Sequence, residues 1–490
     1  MSSIGTQPHE LPVSRLSFAS AAVPDVRSRN TFETVATFAE QVCDVFTVTL
    51  ACVASHHLYS ALNIGRRIRY ADSVVIPVAI GFGIVFAVLL AIDGGYTRAN
   101  SLLQIRETER ILRATFRSFV ALFIVSFTVG HLISRATLLF AMVLVPGLLA
   151  IEKQCLYLLL QFLRSRGYGI RKVIVYGAGA TGRRLFSAFH RSPRLGFKPV
   201  AIVDDDSAMV GSHLRAYSYR NGQSLEIITG PINETLISEY GAETVVVAIP
   251  SLGEERLTEI TEAAIAAGAN VAFVPKLSHR TDLVSNYLDI DGLLISSFHA
   301  PVYGTWYDAA KRLFDLGCSA LILCLSAPLW LVLGVLIKLD SRGPVLFRQE
   351  RIGKNGAPFH IFKFRTMHVD APKYAVHPKD ADDPRITNIG RWLRRTSLDE
   401  LPQVLNVLKG EMSLVGPRPE MPFIVARYED RHCQRLQVVP GITGLWQLSG
   451  DRAYQIHENI HYDLYYIRNR NFFMDMAIIL HTFVFAMKGV

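Results

Sequence analysis

Long apolar runs dominate the first third of the chain. They cover about residues 35–62, 73–92, 117–133 and 136–160, and each is near the roughly 20 residues that an α-helix needs to cross hydrocarbon. This pattern predicts four transmembrane helices within residues 35–165. Residues 1–34 are polar and irregular, which predicts a cytoplasmic tail.

Basic residues flank these runs mainly on one side. The largest group lies between the second and third runs and consists of Arg98, Arg106, Arg110, Arg113 and Arg117. The positive-inside rule therefore places both ends of the predicted bundle in the cytoplasm.

After residue 165 the pattern changes to short apolar strands that alternate with helical segments. We predict strands at 172–176, 199–203, 226–228, 244–249 and 271–274. Such alternation is typical of a parallel α/β domain, here residues 166–298.

A glycine motif follows the first of these strands. Gly177, Gly179 and Gly182 form GxGxxG before a predicted helix, and Asp204 follows the second strand. This context is that of a Rossmann-like nucleotide site, with the acid on a ribose. The alternative is that the glycines serve only strand–helix packing. NAD(P) or another nucleotide is therefore left open as a cofactor.

A further apolar segment covers residues 313–337 and contains Ser326 and Pro328 near its centre. Basic residues flank both of its ends, so a simple crossing would contradict the positive-inside rule. We predict a re-entrant helix at about 311–339, which enters the membrane, breaks at Pro328 and returns to the same face.

Tyr307 and Lys311 have the YxxxK spacing of short-chain dehydrogenases, in which the tyrosine is a general acid. Together with the glycine motif, this pair supports an alternative function as a membrane-tethered NAD(P)-dependent sugar-nucleotide oxidoreductase. Because the pair directly precedes an apolar segment, a membrane boundary is the simpler interpretation.

Composition agrees with a membrane protein that also carries charged domains. The chain has 490 residues, 50% of them hydrophobic, and a formal net charge of +9. This excess suits anionic lipids, phosphorylated substrates or nucleic acid. The 6 cysteines form no CxxC pair and have no His/Cys ligand spacing, so we expect reduced thiols.

The C-terminal part centres on the sequence RRTSLDELP, residues 394–402. Ser397 and Glu400 have the spacing of a capping box, which predicts a helix that begins near Ser397. Asp399 and Glu400 would then lie at its positive end. Acids in a first turn are also ordinary helix chemistry, but the surrounding arginines favour phosphate chemistry.

Residues 301–490 resemble the bacterial sugar transferases that act on polyprenyl phosphate. The resemblance rests on KRLFD, GPVLFRQERIG, FKFRTM, RRTSLDELPQ, GPRPE and VPGITGLWQ. The whole chain is similar to the large members of that family. It implies a multi-domain membrane protein with a four-helix transmembrane bundle, an α/β Rossmann-like domain and an α/β monotopic catalytic domain, residues 299–490, with a re-entrant membrane helix.

The resemblance implies transfer of a sugar 1-phosphate from a UDP-sugar to undecaprenyl phosphate, with release of UMP, Mg²⁺ as cofactor and a covalent phospho-sugar enzyme. This reaction starts exopolysaccharide, capsule or O-antigen repeat units at the bacterial inner membrane, with the catalytic domain on the cytoplasmic face. The implied partners are the UDP-sugar, undecaprenyl phosphate and membrane lipid. We expect no nucleic acid partner, and the sugar and a homo-oligomer are left open.

The resemblance also implies roles for individual residues. Asp399 would be the nucleophile, kept ionised by the helix end and Mg²⁺, and Glu400 the metal ligand. Phosphate oxygens would be clamped by Arg394 and Arg418, and Asp475 matches an acidic family position. Four further residues would surround the diphosphate or the lipid phosphate: Gln349, Arg351, Lys363 and Arg365. Where the family commonly has Ser-Pro at the helix break, this chain has Ala327 before Pro328.

Overall fold

The structure, a computed structural model, describes a chain of two compact units. The described residues are 26–62, 70–96, 104–129, 135–191, 196–215, 224–275, 284–290, 293–299, 305–371, 383–448 and 460–487. One unit contains the start of the first helix and an α/β sheet, and the other contains the remaining N-terminal helices and the C-terminal part.

The N-terminal helices are α1 (Val26–Leu62), α2 (Asp72–Ile92), α3 (Gln104–Val129) and α4 (Arg135–Ser165). Side chains of all four meet in one apolar core, which includes Val48, Phe86, Ile111 and Val145. Among the described residues, α1, α2, α4 and the later helix α8 are long and apolar enough to cross a membrane. The prediction of a membrane protein is therefore confirmed.

The third helix differs from its prediction. We expected a span at 117–133, whereas α3 begins at Gln104 and lacks the length of apolar sequence that the other helices have. The basic residues expected in a connecting loop, such as Arg106 and Arg113, lie on this helix instead. Their spacing of three or four residues puts them on one face. The apolar run had marked only the second half of a longer amphipathic helix.

The α/β unit contains a six-stranded sheet in the order β3-β4-β2-β1-β5-β6. All neighbouring strands are parallel except β3 and β4. The five predicted strands are confirmed within a few residues. The elements are β1 (Arg171–Tyr176), α5 (Ala180–Arg191), β2 (Phe197–Val203), β3 (His213–Arg215), β4 (Ser224–Ile228), α6 (Glu234–Tyr240), β5 (Thr244–Val247), α7 (Glu254–Ala266) and β6 (Asn270–Phe273).

Both faces of this sheet are buried. Along β1, Val173 and Val175 face a core with Phe186 of α5, whereas Ile174 and Tyr176 face a core that contains residues of α6 and α7. Parallel sheets are stable when helices cover both faces, which is why these strands are apolar throughout. The prediction of an α/β domain of Rossmann-like type is confirmed at the level of topology.

The C-terminal part contains three small sheets and helices around them. Strands β9 and β10 form an antiparallel ribbon, and β11 pairs in parallel with β12. The elements are β7 (Val284–Ile290), β8 (Leu293–His299), α8 (Thr305–Asp340), β9 (Leu346–Ile352), β10 (Pro358–Phe364), α9 (Asn388–Arg395), α10 (Val404–Lys409), β11 (Ser413–Val415), α11 (Pro422–Val425), α12 (Asp430–Cys433), β12 (Gly441–Thr443), α13 (Leu445–Leu448), α14 (Ile460–Asn469) and α15 (Phe472–Met487).

Helix α8 runs through Pro328 without interruption, so the predicted break in the helix is wrong at the level of secondary structure. Ser326 accepts a hydrogen bond from the Trp330 indole at 3.1 Å, and its hydroxyl lies 3.5 Å from the carbonyl oxygen of Leu323. These contacts hold the segment around the proline in helical form. The re-entrant course of α8 stays a prediction.

Both halves of α8 pack on the C-terminal part. Phe314 of the first half packs on a core with Met474 and Ile478 of α15, whereas Leu333 and Ile337 of the second half pack with Phe364 and Leu393. The same α15 core also receives Ile105 of α3. The N-terminal helices and the C-terminal part are thus joined through α3.

Candidate active site

The acidic pair lies on a short turn between two helices. Helix α9 ends at Arg395, Ser397 is left-handed with φ 56°, and a 3₁₀ turn, Leu398–Gln403, leads into α10. The Ser397 side chain makes no cap hydrogen bond, so the predicted capping box is wrong. Leu398 and Leu401 pack into the core below, because residues three apart share a face of a 3₁₀ turn. Asp399 and Glu400 consequently lie on the other faces.

Glu400 is held by two cations. The ammonium group of Lys363 donates to Glu400 Oε1 at 2.6 Å, and Arg418 Nη2 donates to the same oxygen at 3.3 Å. Burial alone would raise the pKa of Glu400, but the charges of Lys363 and Arg418 outweigh it and hold that pKa well below its usual range. Glu400 is therefore a carboxylate at physiological pH. Its second oxygen, Oε2, has no hydrogen-bond partner among the described residues.

Asp399 is in the opposite situation. Its carboxylate makes no hydrogen bond to any residue that the structure describes. Burial and then the negative charge of Glu400 raise the pKa of Asp399, although Lys363, Arg394 and Arg418 oppose the shift. The protein groups therefore leave Asp399 less acidic than an ordinary aspartate, and the expectation that the helix end and Mg²⁺ keep it ionised stays a prediction. The site contains one fixed carboxylate and one available carboxylate, side by side.

Arg394 lies in the last turn of α9 and is anchored at one end. Its Nε donates to Thr366 Oγ1 at 2.9 Å. Its terminal nitrogens bond no described residue, although its charge acts on Asp399. An arginine that is fixed through Nε and open at its fork can bind phosphate oxygens in pairs.

The loop that carries Arg418 follows β11 and packs closely on the loop before β12. A Cβ atom on Gly416 would lie 2.6 Å from the carbonyl oxygen of Val439, and one on Gly441 would lie 2.0 Å from the amide nitrogen of Gly416. No side chain fits at either position. The two glycines therefore let the backbones touch and fix the loop.

A buried guanidinium reinforces this loop. Arg435 is 3% exposed and donates to the main-chain oxygen of Arg418 at 2.9 Å. It also donates to the Tyr428 hydroxyl at 2.8 Å and forms ion pairs with Asp463 at 2.7 Å and Glu420 at 3.2 Å. We did not single out Arg435 from the sequence, because its partners are distant along the chain and follow no periodic pattern.

Two families and several relatives match this chain. Residues 306–489 match the family described as "Bacterial sugar transferase", and residues 91–275 match one described as "CoA-binding domain". The UDP-glucose:undecaprenyl-phosphate glucose-1-phosphate transferase of Klebsiella pneumoniae is 34% identical over 333 residues, which cover 66% of this chain and 69% of that protein. The chain belongs to the bacterial sugar transferase family.

Another relative and one solved structure are also similar to this sugar transferase. The undecaprenyl-phosphate galactose phosphotransferase of Salmonella typhimurium is 30% identical over 364 residues, which cover 70% of this chain and 72% of that protein. The solved UDP-D-quinovosamine 4-dehydrogenase of Vibrio fischeri is 25% identical and covers 26% of this chain and 93% of its own, but its TM-score of 0.20 supports no conclusion.

The other cationic positions of the transferase lie on or beside the β9–β10 ribbon. Lys363 contacts Glu400, as described, and Gln349 accepts a hydrogen bond from Arg351 at 2.7 Å. Arg351 also lies 3.4 Å from the carbonyl oxygen of Pro419, next to Arg418. Gln349 and Arg351 thus adjoin the Arg418 loop.

Arg365 is placed differently. It is 5% exposed, and its guanidinium donates to the main-chain oxygens of Ser341 at 2.7 Å and Arg342 at 2.9 Å. These carbonyls lie at the C-terminal end of α8, where helices leave acceptors unsatisfied. The geometry favours a structural role, so we leave Arg365 out of the proposed phosphate site.

Asp475 lies in a buried network and has no hydrogen bond to Asp399 or Glu400. It is 2% exposed and accepts hydrogen bonds from Tyr307 at 2.8 Å, Lys311 at 2.9 Å and Tyr466 at 2.8 Å. The YxxxK pair is therefore engaged with this carboxylate, which does not favour the oxidoreductase alternative. Because Tyr466 also contacts Val415 of β11 at 3.1 Å, the network supports the strand before Arg418.

The glycine motif of the α/β unit mainly allows close packing between its own strand and helix. A Cβ on Gly182 would lie 1.8 Å from the carbonyl oxygen of Gly177, whereas one on Gly179 would meet no atom within 4 Å. Asp204 accepts hydrogen bonds from the amides of Ala178 at 2.5 Å and Asp206 at 2.9 Å. The acid predicted for a ribose is thus bound to the main chain, and this geometry favours the packing interpretation over NAD(P).

Proposed function

We propose that this transferase moves a sugar 1-phosphate from a UDP-sugar to undecaprenyl phosphate and releases UMP. One observation carries the proposal: the available carboxylate of Asp399 lies beside Glu400, which Lys363 and Arg418 hold in place. The named reactions of the Klebsiella and Salmonella relatives support the same substrates. The product would be undecaprenyl-diphosphate-sugar, the first intermediate of an exopolysaccharide, capsule or O-antigen repeat unit.

We infer two displacements at phosphorus. In the first, a carboxylate oxygen of Asp399 attacks the phosphorus that carries the sugar. The bond from this phosphorus to the bridging oxygen breaks, and UMP leaves with that oxygen. In the second, a phosphate oxygen of undecaprenyl phosphate attacks the same phosphorus and releases the Asp399 carboxylate. Covalent catalysis of this kind divides one difficult transfer into two.

The arginines would stabilise the charge on the transferring group. Negative charge is spread over the oxygens around the transferring phosphorus in the transition state, and fixed cations stabilise such charge strongly. Arg394 offers an unbonded fork, and Arg418 is held by a rigid loop. Lys363 would continue to orient Glu400 during both displacements.

The carboxylates also fit Mg²⁺. Mg²⁺ is usually bound by one or two carboxylates together with substrate phosphates and water. Glu400 keeps Oε2 unbonded within the described part of the chain, and Asp399 is adjacent. Glu400 would hold the ion, which would supply positive charge to the diphosphate. The described residues contain no group of three or more His, Cys, Asp or Glu side chains that could hold a metal alone, so the substrate itself would complete the site.

We propose further that α8 is re-entrant and that the catalytic domain faces the cytoplasm of the inner membrane. The packing of both halves of α8 on the C-terminal part supports this course, as do basic residues at both ends. A reporter that is active only in the cytoplasm should be active when it is fused after residue 490, and a reporter that is active only in the periplasm should be inactive there. A fusion after Leu62, at the far end of α1, should report the periplasm. Periplasmic activity of the first fusion would overturn the topology.

The reaction is tested by UMP release from UDP-sugars in detergent with undecaprenyl phosphate and Mg²⁺. A panel of UDP-glucose, UDP-galactose and UDP-N-acetylated sugars identifies the donor, which we expect to be a hexose. Without the lipid acceptor, intact-mass analysis should show one sugar phosphate added to the wild-type protein and none to Asp399→Asn. A mass addition that persists in Asp399→Asn would refute the assigned nucleophile. Turnover of NAD(P)H without UMP release would favour the oxidoreductase.

A further inference from the structure

Helix α3 carries a buried arginine that the proposed reaction does not use. Arg110 is 8% exposed, yet it makes no hydrogen bond or ion pair with any residue in the described ranges. Burial of a charged group without a partner is unfavourable, so such groups usually have a ligand or counter-ion. Arg110 therefore indicates a site for an anion.

A second arginine lies one turn earlier on the same face. Arg106 donates to the hydroxyl of Tyr465 on α14, and its guanidinium lies 5.8 Å from the centre of the Tyr465 ring. Residues four apart on a helix have Cβ atoms about 5–6 Å apart, so one anion can contact both guanidinium groups. Tyr465 uses only part of the Arg106 donor fork.

The nearby acids offset only part of this charge. Glu109 accepts hydrogen bonds from Arg113 and from Asn471. Glu107 is the other carboxylate close to Arg110. Arg117, one further turn along, is paired with Asp93 at 2.7 Å. Arg106 and Arg110 therefore leave a local excess of positive charge.

The position of the pair along α3 indicates its surroundings. Ile105 and Leu112 pack on the catalytic core with α15, whereas Ile111 and Ala114 pack in the core of the N-terminal helices. Arg110 consequently lies on a stretch of α3 that packs both on the C-terminal part and on the N-terminal bundle. We take this stretch to lie at the level of the lipid phosphates, which basic residues at the edge of a membrane bundle bind.

We propose that Arg106 and Arg110 form a binding site for the phosphate group of a membrane lipid. The phosphate would accept hydrogen bonds from both guanidinium groups, while Tyr465 orients Arg106. Two lipids carry this chemistry, an anionic phospholipid and a polyprenyl phosphate. The site is separate from the Asp399 turn, and its binding is measurable without turnover. Only the second source rests on the proposed function.

The experiment measures lipid retention by the full chain in nanodiscs, by native mass spectrometry. Three compositions are used: phosphatidylcholine alone, phosphatidylcholine with phosphatidylglycerol, and phosphatidylcholine with undecaprenyl phosphate. Arg110→Gln should retain the phosphate lipid roughly tenfold less than wild type, because it loses a charge-assisted bidentate contact. Arg117→Gln, on the same helix, is the matched control and should retain it normally. Arg110→Lys keeps the charge without the fork and tests the site if Arg110→Gln does not fold.

The outcomes separate the two sources. If Arg110→Gln retains less phosphatidylglycerol than wild type, the site binds anionic lipids in general. If its retention falls only with undecaprenyl phosphate, the site binds the acceptor lipid. Equal retention by wild type, Arg110→Gln and Arg110→Lys in both anionic compositions would overturn the proposal. So would an equal loss in Arg110→Gln and Arg117→Gln, because that result indicates a general effect of charge.

Discussion

The acidic turn of the catalytic part and the glycine loop of the α/β unit both carry an acid next to a recognisable motif, but the two acids are bonded differently. Both carboxylate oxygens of Asp204 accept hydrogen bonds from main-chain amides, at 2.5 Å and 2.9 Å. Asp399 bonds nothing in the described part of the chain, and its neighbour Glu400 keeps one oxygen unbonded. Motif letters alone do not distinguish these cases. The free hydrogen-bonding capacity of the side chain does.

The neighbours of each acid explain the difference. Near Asp399 the charge is balanced by side chains from separate elements, namely Lys363 of β10, Arg394 of α9 and Arg418 of the loop after β11. Near Asp204 the donors belong to the loops that follow β1 and β2 of its own sheet. A site assembled from distant elements can accept a substrate, whereas a local loop contact mainly fixes its own conformation.

The largest expected effect comes from the same substitution made at Asp399 and at Asp204. Asp399→Asn should lower UMP release by roughly 10³-fold or more, because an amide is a poor nucleophile toward phosphorus. Asp204→Asn should leave UMP release within about threefold, since its role is to accept two main-chain hydrogen bonds, and should lower thermal stability instead. A large loss of activity in Asp204→Asn with unchanged stability would make the glycine loop part of the transfer site.

A second expected effect concerns Arg435, which bonds the main chain of Arg418. Arg435→Met leaves Glu420 and Asp463 without their cation and releases the Arg418 loop. We expect the rate of covalent adduct formation in a single turnover to fall by at least roughly tenfold, because misplaced transition-state contacts weaken catalysis strongly. Arg435→Lys should recover part of this rate. Arg427→Met, an exposed position nearby, is the control and should behave as wild type. A normal rate in Arg435→Met would mean that the glycine contacts alone hold the loop.

The sequence was sufficient for elements whose pattern is local. The five predicted strands of the α/β sheet follow from short apolar runs that alternate with helical segments, and all five are present. The grouping of Asp399, Glu400 and Arg418 followed from family motifs. Local patterns failed where packing overrides them. Ser397 and Glu400 have capping-box spacing, but burial of Leu398 and Leu401 draws the chain into a 3₁₀ turn instead.

Pairings between distant residues could not be predicted. Lys363 and Arg365 are both cations of the FKFRTM motif, yet Lys363 contacts Glu400 whereas Arg365 caps the end of α8. Which cation faces the site depends on where β10 ends relative to α8. The length of α3 was missed for a related reason, since its arginines resemble a polar loop unless their partners, such as Tyr465, are known.

A smaller effect separates a structural from a catalytic role for the YxxxK pair. Tyr307→Phe removes one of three hydrogen bonds to Asp475 and should lower the melting temperature by a few degrees, about what loss of one hydrogen bond of 1–2 kcal/mol produces. UMP release should stay within about threefold of wild type. Tyr168→Phe, at an exposed position, provides a control for loss of a hydroxyl elsewhere. Unchanged stability together with loss of an NAD(P)H-dependent activity would restore the oxidoreductase interpretation.

The smallest effect at neutral pH is the titration of Asp399. Burial raises its pKa above the ordinary aspartate value of about 3.9. Since the nucleophile must be ionised, kcat/KM should be nearly constant around neutral pH and decline at acid pH, by up to about tenfold per unit below that pKa. Glu400→Gln removes a negative charge that raises the pKa of Asp399, so the acid limb should move to lower pH. Lys363→Met removes a positive charge that lowers the same pKa, so the limb should move to higher pH. Both variants reduce the maximal rate, but the position of the limb is independent of that rate. Shifts in the same direction would show that the acid limb belongs to a group other than Asp399.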